Sequence, residues 1–227
     1  MENNVISWLK PEAQIFFREN ATVRNLNSRD LIYDDEAVVT HAIFPHDCVV
    51  SIMAEMADGR SVEKASVGRE GFLGLPVIIG GGRTFGRCVV QIPGKASWLS
   101  VADLDVAFQR FQCVRQVMLR YAKSFTLQLM ESVACNSLHT ADQRVVRWLL
   151  HAHDRVGGDT FFLTQEVVSR LLALRRATVN SVCSDLQMAH GISYHRGHIT
   201  ITDRQVLLSR VCECYDRVRR AALCTAP

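Results

Sequence analysis

Residues 103–136 contain neither glycine nor proline. Apolar side chains recur through this stretch at intervals of three and four residues, namely Phe111, Val114, Met118, Tyr121 and Phe125. That spacing aligns them along one face of a helix, so the sequence predicts one long helix in the middle of the chain. Packing against the chain's own domain would explain the stripe, but we favour the seam of a dimer because regular three-four spacing is typical of coiled coils.

The region before this helix, residues 22–101, consists of short segments rich in β-branched residues, such as CVVSIMAEM and RCVVQIPGKASWLSV. Turn-forming pairs separate the segments, for example Asp58-Gly59 and Pro93-Gly94. Short strands divided by turns are typical of an antiparallel roll or barrel. The sequence thus predicts an α+β chain with a β-roll over residues 1–106, a dimerisation helix over residues 107–137 and a third part over residues 138–227.

The composition is that of an ordinary globular protein. The 227 residues suit two compact domains, and 48% hydrophobic residues with 22% charged residues provide a core without indicating disorder. No apolar run approaches the roughly 20 residues that a membrane span requires, and the N-terminus does not resemble a signal peptide. We therefore expect a cytoplasmic protein with no membrane partner.

Charge is distributed unevenly along the chain. Residues 1–137 carry 14 basic and 15 acidic side chains, whereas residues 138–227 carry 12 arginines, no lysine and 8 acidic side chains. Arginine presents a planar set of donors that matches phosphate oxygens and guanine edges. The bias is compatible with nucleic-acid binding, and equally with a GC-rich genome that favours arginine codons.

The segment FFLTQEVVSRLLALRRATVNSVCSDLQMAHGISYHRGHITITD follows a Gly-Gly helix stop. Thr164 can cap a short helix, a tight turn follows at Ala173-Leu174, and a second helix runs from about Arg175 to Gly191. The runs SYH and HITIT flank Arg196-Gly197 and predict a small hairpin. Two short helices followed by a hairpin form a winged helix-turn-helix, whose second helix enters the major groove of double-stranded DNA.

The spare positions of this predicted motif are polar, as contact with DNA requires. We expect Arg176 to read a base, because arginine in the first turn of such a helix can contact guanine with two hydrogen bonds. The remaining candidates for base reading are Arg175, Asn180 and Ser181. The candidates for phosphate contact, which positions the protein without reading sequence, are Thr164, Gln165, Thr178, His195, Arg196 and His198.

In combination, the β-roll, the long helix, the segment LTQEVVSRLLALRRATVNSV and the RGHITI hairpin resemble the superfamily of the cyclic-AMP receptor protein and the fumarate-nitrate regulator (CRP/FNR) over nearly the whole chain. The resemblance implies a bacterial transcription regulator with a cyclic-nucleotide-binding-type β-roll. It also implies a homodimer formed through the long helix, a twofold-symmetric DNA site and RNA polymerase as a further candidate partner.

Two departures from the family appear in the recognition helix. Arg176, Thr178 and Val179 match the family pattern R-E-T-V, but Ala177 replaces its Glu, and Ser181 stands where a later Arg often follows. We therefore expect an operator that differs from the family's standard one.

The sensor departs further from the family. Members that bind cyclic nucleotides resemble F-x-G-E followed by R-S/T-A, whereas this chain has GFLGLPVIIGGGRTFGRCVVQ. The ribose-binding Glu falls on Leu75 and the phosphate-binding Arg falls near Phe85, with Arg83 and Arg87 close by. An apolar Leu75 cannot accept a hydroxyl hydrogen bond, so we expect an unidentified signal rather than cyclic AMP. Leu75, Arg83, Phe85 and Arg87 are the candidate effector pocket.

No cofactor or metal is expected from the sequence. The first 47 residues contain no cysteine, so the N-terminal cluster of an iron-sulfur member of the family is missing, and His41, His46 and Cys48 do not form a recognisable haem-binding motif. The eight cysteines include no CxxC pair. Cys212 and Cys214 could be redox-active, but on a continuous helix they would face different sides.

Two other functions compete with DNA-dependent regulation. The first is a cyclic-nucleotide or other small-molecule sensor that acts through protein contacts with a degenerate winged helix, but a discarded DNA surface has no need of Arg176, Thr178 and the RGH hairpin. The second is an enzyme, for which neither paired carboxylates nor a nucleophile motif stands out. We therefore predict a regulator that is not an enzyme.

Overall fold

The computed structural model describes residues 3–223, so Cys224 and the outer ends of the first and last predicted domains lie outside the described residues. Two short helices come first, α1 (Asn4–Ser7) and α2 (Pro11–Asn20). Asn3 caps α1, because its side-chain oxygen accepts from the backbone N–H of Val5. Pro11 suits the first position of α2, where a backbone N–H would have no helical partner.

Seven antiparallel strands form the predicted β-roll in two sheets, with the strand orders β1-β7-β3 and β2-β6-β4-β5. The strands are β1 (Thr22–Leu26), β2 (Leu31–Tyr33), β3 (His41–Pro45), β4 (Val49–Glu55), β5 (Ser61–Val67), β6 (Arg87–Ile92) and β7 (Gly94–Ser100). A short helix, α3 (Leu75–Ile79), lies between β5 and β6.

The long helix is interrupted, in contrast to the prediction of one continuous helix. Helix α4 (Val101–Arg110) ends at Phe111, which is extended at φ −118° and ψ 107°, and α5 (Gln112–Leu138) follows. The ring of Phe111 packs 5.7 Å from that of Phe16 in α2. No glycine or proline lies at this break, which coincides with the packing of Phe111 against Phe16.

The predicted dimer stripe belongs to the chain's own core. Val114, Met118, Tyr121 and Phe125 are all at most 5% exposed and pack against the β-roll. The ring of Tyr121, for example, lies 5.0 Å from that of Phe72. Phe111 packs against the same core. The assignment of these five residues to a dimer seam was wrong, because the β-roll already covers the face that carries them.

The C-terminal part opens with α6 (Ala141–Arg155), which begins at a reciprocal cap. Thr140 accepts from the backbone N–H of Gln143, whose side chain accepts from the backbone N–H of Thr140. The elements that follow are β8 (Thr160–Phe162), α7 (Gln165–Leu171), α8 (Arg176–Met188), β9 (Ile192–His195), β10 (His198–Ile201), α9 (Arg204–Arg210) and α10 (Cys214–Leu223). The three strands pair in the order β8-β10-β9.

Cys212 and Cys214 do not share a helix. Helix α10 begins at Cys214, and Cys212 precedes it in non-helical chain. Both side chains are buried, and together with Cys135 they form a small cluster of their own. The prediction that the two thiols would face different sides of one helix was therefore wrong.

The β-roll and the C-terminal part pack directly against each other. Val49, Met53 and Ile92 of the roll belong to the apolar core of the C-terminal part. Polar contacts reinforce this boundary, since the indole Nε1 of Trp148 in α6 donates to the carboxylate of Glu63 in β5 at 3.1 Å.

Candidate DNA interface and sensor pocket

Helices α7 and α8 form the predicted helix-turn-helix. Thr164 caps α7, since its hydroxyl oxygen accepts from the backbone N–H of Val167 at 3.2 Å. The turn between the helices places Ala173 at φ 50°, and the backbone N–H of Leu174 donates to the carbonyl of Ser169. The apolar sides of both helices are buried together in the C-terminal core.

The outward side of α8 carries the polar residues predicted to read bases. Arg175, Arg176, Asn180 and Ser181 are exposed, and Thr178 is half-buried. Arg175 is the N-cap residue and Arg176 is the first residue of the helix. The Arg176 side chain therefore leaves the helix at its N-terminal end, where the helix dipole also favours an anionic partner.

The predicted hairpin is present and forms a tight two-residue turn. Arg196 and Gly197 have φ of 48° and 83°, as a turn with two left-handed residues requires. His195 pairs with His198 across the hairpin, and both side chains are exposed.

Strand β8 extends this hairpin to three strands, although the sequence analysis did not predict it. Phe162 of β8 pairs with His198, and its ring lies 5.3 Å from the imidazole. A Cβ on Gly197 would lie 2.8 Å from the same ring, so glycine serves both the turn and the packing.

A cleft of about 340 Å³ opens between the start of α7, the start of α8 and the hairpin. Four of the predicted DNA-contacting residues line it, namely Thr164, Gln165, Arg176 and Arg196. Sequence reasoning missed three other lining side chains, Phe162, Glu166 and Tyr194. Spacing gave no signal for Tyr194, because it lies two residues after buried Ile192 in β9 and alternation places both residues on the same side of the strand.

Some predicted contacts lie outside this cleft. Arg175, Thr178, Asn180, Ser181, His195 and His198 are not among its lining residues. The structure thus divides the predicted residues into a convergent group and a flanking group. The negative charge of Glu166 in the cleft is balanced by Arg170, whose Nη2 lies 3.6 Å from a Glu166 carboxylate oxygen.

The β-roll leaves little space beside Leu75 and Phe85 of the candidate effector pocket. A cavity of about 20 Å³ remains, and its lining includes Leu75 and Phe85 from the candidate effector pocket. A cavity of that size holds about one water molecule, whereas sites for small ligands typically measure about 300–1,000 Å³. Tyr121 and Phe125 of α5 occupy part of the surrounding space.

The two arginines of the predicted effector pocket do not line this cavity. The Nη1 atom of Arg83 donates to the backbone carbonyl of Glu36 at 2.7 Å. Arg87 forms ion pairs with Asp34 at 3.1 Å and Glu55 at 2.6 Å, and the bond to Glu55 is the larger cause of the raised pKa of its guanidinium. The structure therefore brings together Leu75 and Phe85 but separates both from the arginines.

Comparisons with known proteins agree with this geometry. Residues 143–210 match the family model described as the Crp-like helix-turn-helix domain. A search among curated proteins found no match.

Solved structures share the fold over most of the chain. FixK2 from Bradyrhizobium japonicum has a TM-score of 0.70 at 17% identity, with 85% of this chain and 98% of FixK2 covered. A CRP-family transcriptional regulator from Thermus thermophilus has a TM-score of 0.65 at 16% identity, with 82% and 95% covered. The c-di-GMP responsive regulator CLP from Xanthomonas campestris has a TM-score of 0.62 at 16% identity, with 86% and 100% covered.

The C-terminal part is thus a Crp-like DNA-binding domain attached to a β-roll in the arrangement of CRP/FNR proteins. Residues 143–210 thus carry a Crp-like helix-turn-helix domain, and the chain shares its fold with FixK2 and with a regulator of the CRP/FNR family, in agreement with the fold predicted from the sequence. None of the described helices is both long enough and apolar enough to cross a membrane.

Proposed function

We propose that the chain is a transcription regulator of the CRP/FNR superfamily that binds a twofold-symmetric DNA site as a homodimer and reads it mainly through Arg176. The observation that carries the proposal is the cleft, which Arg176 lines together with Thr164, Gln165 and Arg196. A side chain at the N-terminus of α8 is suited to base edges, while the other three can hold the flanking phosphates. Because the target is chromosomal DNA, we place the protein in the cytoplasm.

The outward face of α5 supports dimerisation through a different stripe from the one first predicted. Leu119, Met130 and Val133 are 49%, 67% and 69% exposed, respectively, in the single chain. Their positions, together with Thr126, follow steps of seven, four and three residues along α5. Pairing of two such helices would cover these apolar side chains. It would also hold the two α8 helices about 34 Å apart, which is the spacing of successive major grooves.

We infer that the regulatory signal is not cyclic AMP held inside the β-roll. Leu75 provides no acceptor for a ribose hydroxyl, Arg83 and Arg87 are engaged elsewhere, and the remaining cavity is about 20 Å³. Isothermal titration with cyclic AMP and cyclic GMP should show no saturable heat. Saturable binding that Leu75→Trp abolishes would contradict this inference.

The DNA assignment is tested by selecting bound sequences from a random DNA library with the wild-type protein, Arg176→Ala and Arg60→Ala. Arg60 is exposed on the β-roll and serves as the control for the loss of one arginine. We expect Arg176→Ala to lose about 1–3 kcal/mol of discrimination at one base pair of each half-site while keeping salt-sensitive non-specific binding. An unchanged preference in Arg176→Ala would refute the assignment of the reading residue.

A further inference from the structure

Four side chains with metal-binding atoms converge where α5 ends and α10 begins. They are Cys135 in the last turns of α5, His139 directly after that helix, Cys212 before α10 and Cys214 at its first residue. One ligand atom from each residue lies within 4.8 Å of all the others. The three cysteines are buried and His139 is half-buried.

The spacing of these atoms fits a single tetrahedral ion. The Sγ atoms of Cys135 and Cys212 are 3.7 Å apart, and the Sγ of Cys214 is 3.7 Å from Nδ1 of His139. Zinc bonds of about 2.3 Å to sulfur and about 2.0 Å to nitrogen, at tetrahedral angles, place neighbouring ligand atoms about 3.5–3.8 Å apart. Both distances lie in that range.

The surroundings provide an orienting carboxylate for the imidazole. Nε2 of His139 lies 3.3 Å from a carboxylate oxygen of Glu213, so Nδ1 is left facing Cys214. Metal-bound histidines commonly donate their second ring N–H to such a carboxylate, which fixes both the tautomer and the ring orientation.

A buried cation lies close enough to the cluster to act on the Cys135 thiol. Arg147 of α6 is 8% exposed, and its Nε has no hydrogen-bond partner among residues 3–223. Burial raises the pKa of the Cys135 thiol, and the positive charge of Arg147 opposes that rise. Three thiolates, one neutral imidazole and Zn²⁺ would carry one net negative charge, which would compensate the buried guanidinium.

We propose that Cys135, His139, Cys212 and Cys214 bind one zinc ion. The three thiols each release a proton to solvent, the three sulfurs and Nδ1 of His139 each donate an electron pair to the metal, and no residue is oxidised or reduced. The ion ties the end of α5 to the start of α10, next to the Thr140 cap where α6 begins. The ligand set is three cysteines and one histidine, as in closed structural zinc sites.

The spacing of these residues in the sequence does not identify the site. The ligand spacings are Cys-x3-His and Cys-x-Cys, with 72 residues between His139 and Cys212, and neither pair matches a CxxC motif. The sequence alone therefore predicts no metal. Only the packing of α10 against the end of α5 brings the two pairs together.

The test uses the full-length protein, purified under reducing conditions. Metal analysis should find one zinc per chain that resists a moderate chelator, and cobalt substitution should give intense sulfur-to-cobalt charge-transfer and tetrahedral ligand-field absorption. Cys212→Ser and His139→Asn should lose both signals. Cys113→Ser, which changes a half-buried cysteine outside the cluster, should retain both.

If a variant of a metal ligand fails to fold, Glu213→Gln provides the test of zinc binding. Glu213 is exposed, and its change should weaken zinc binding about 10- to 100-fold without removing a ligand. The proposal is overturned by sub-stoichiometric zinc in the wild type or by metal binding that is equal in all variants.

Discussion

Nη2 of Arg155, the last residue of α6, lies 2.7 Å from a carboxylate oxygen of Glu70 in the β-roll, and the two side chains are 6% and 18% exposed. Arg155 also donates to the hydroxyl and the backbone carbonyl of Ser66. A Cβ on Gly68 would lie 2.5 Å from the Arg155 side chain, so the roll leaves room for the arginine at this point. This buried ion pair joins the β-roll to the C-terminal part.

Replacing one partner of that pair should destabilise the protein strongly. Glu70→Gln leaves the Arg155 guanidinium buried without its counterion, and loss of one partner of a buried pair costs about 3–5 kcal/mol. Urea unfolding followed by tryptophan fluorescence should show the loss. Asp58→Asn removes an exposed partner of Arg60 and should leave the midpoint unchanged. Equal changes in unfolding free energy for Glu70→Gln and Asp58→Asn would mean that the buried Arg155–Glu70 pair stabilises the protein no more than the exposed Arg60–Asp58 pair.

His151 should make the protein sensitive to mild acid. Burial, followed by the charges of Arg155, Arg147 and Arg204, holds the pKa of this imidazole well below 6.5. In the unfolded chain the ordinary pKa applies, so protons bind preferentially to the unfolded state as the pH falls below that value. The free energy of unfolding contributed by the neutral ring is thus fully present above the ordinary pKa and declines as the pH falls.

His151→Phe tests this argument because it keeps an aromatic ring beside Tyr215, whose ring centroid lies 5.0 Å from that of His151. His151 also lines a cavity of about 240 Å³. Between about pH 7.5 and about pH 5.5, wild type should lose about 1.4 kcal/mol more unfolding free energy than the variant. His195→Phe, at an exposed position of β9, is the control for losing a histidine. Parallel pH profiles for wild type and His151→Phe would contradict the expectation.

The fold was predictable where local patterns decide it. Short segments with turn residues gave the β-roll, and the Arg196-Gly197 pair gave the turn of the hairpin. The break at Phe111 and the strand β8 were missed because each depends on a distant partner, Phe16 in the first case and β10 in the second. Spacing alone predicts a buried face but does not identify what covers it, which explains the misassigned dimer stripe.

Sequence patterns likewise predict some residues of the candidate site and not others. The polar face of α8 follows from its helical period, so Arg176 could be identified from the sequence. That Tyr194 lines the same cleft depends on how the hairpin folds against α7, which no spacing encodes. The effector pocket was inferred from a family motif, and its arginines lie elsewhere because Asp34, Glu55 and the Glu36 carbonyl hold them.

Arg196 at the tip of the hairpin should contribute charge rather than sequence preference. If it contacts a phosphate, Arg196→Ala should weaken binding to all DNA sequences by a similar factor. The slope of log K against log salt should also become shallower by about 0.9 for each lost contact. Fluorescence anisotropy over a salt series measures this slope, with Arg60→Ala as the control. A change in site preference at constant slope would instead assign Arg196 to base reading.

The outward face of α5 should control assembly. Met130→Glu places a carboxylate at the proposed seam, where the twofold axis would bring it close to its own copy. Like charges meeting in an interface cost several kcal/mol, so we expect dimerisation to weaken on the order of 100-fold or more. Because Met130 is 67% exposed in the single chain, each chain should still fold.

Sedimentation velocity over a concentration series distinguishes the outcomes of that substitution. Wild type and Val106→Glu, a change at an exposed apolar position on α4, should sediment as dimers. Met130→Glu should sediment as a folded monomer that binds one half-site weakly, since two linked recognition helices gain affinity from their high effective concentration. A dimer that tolerates both Met130→Glu and Val133→Glu would place the seam on another surface. In that case, the spacing of the two α8 helices would have to be set by something other than α5.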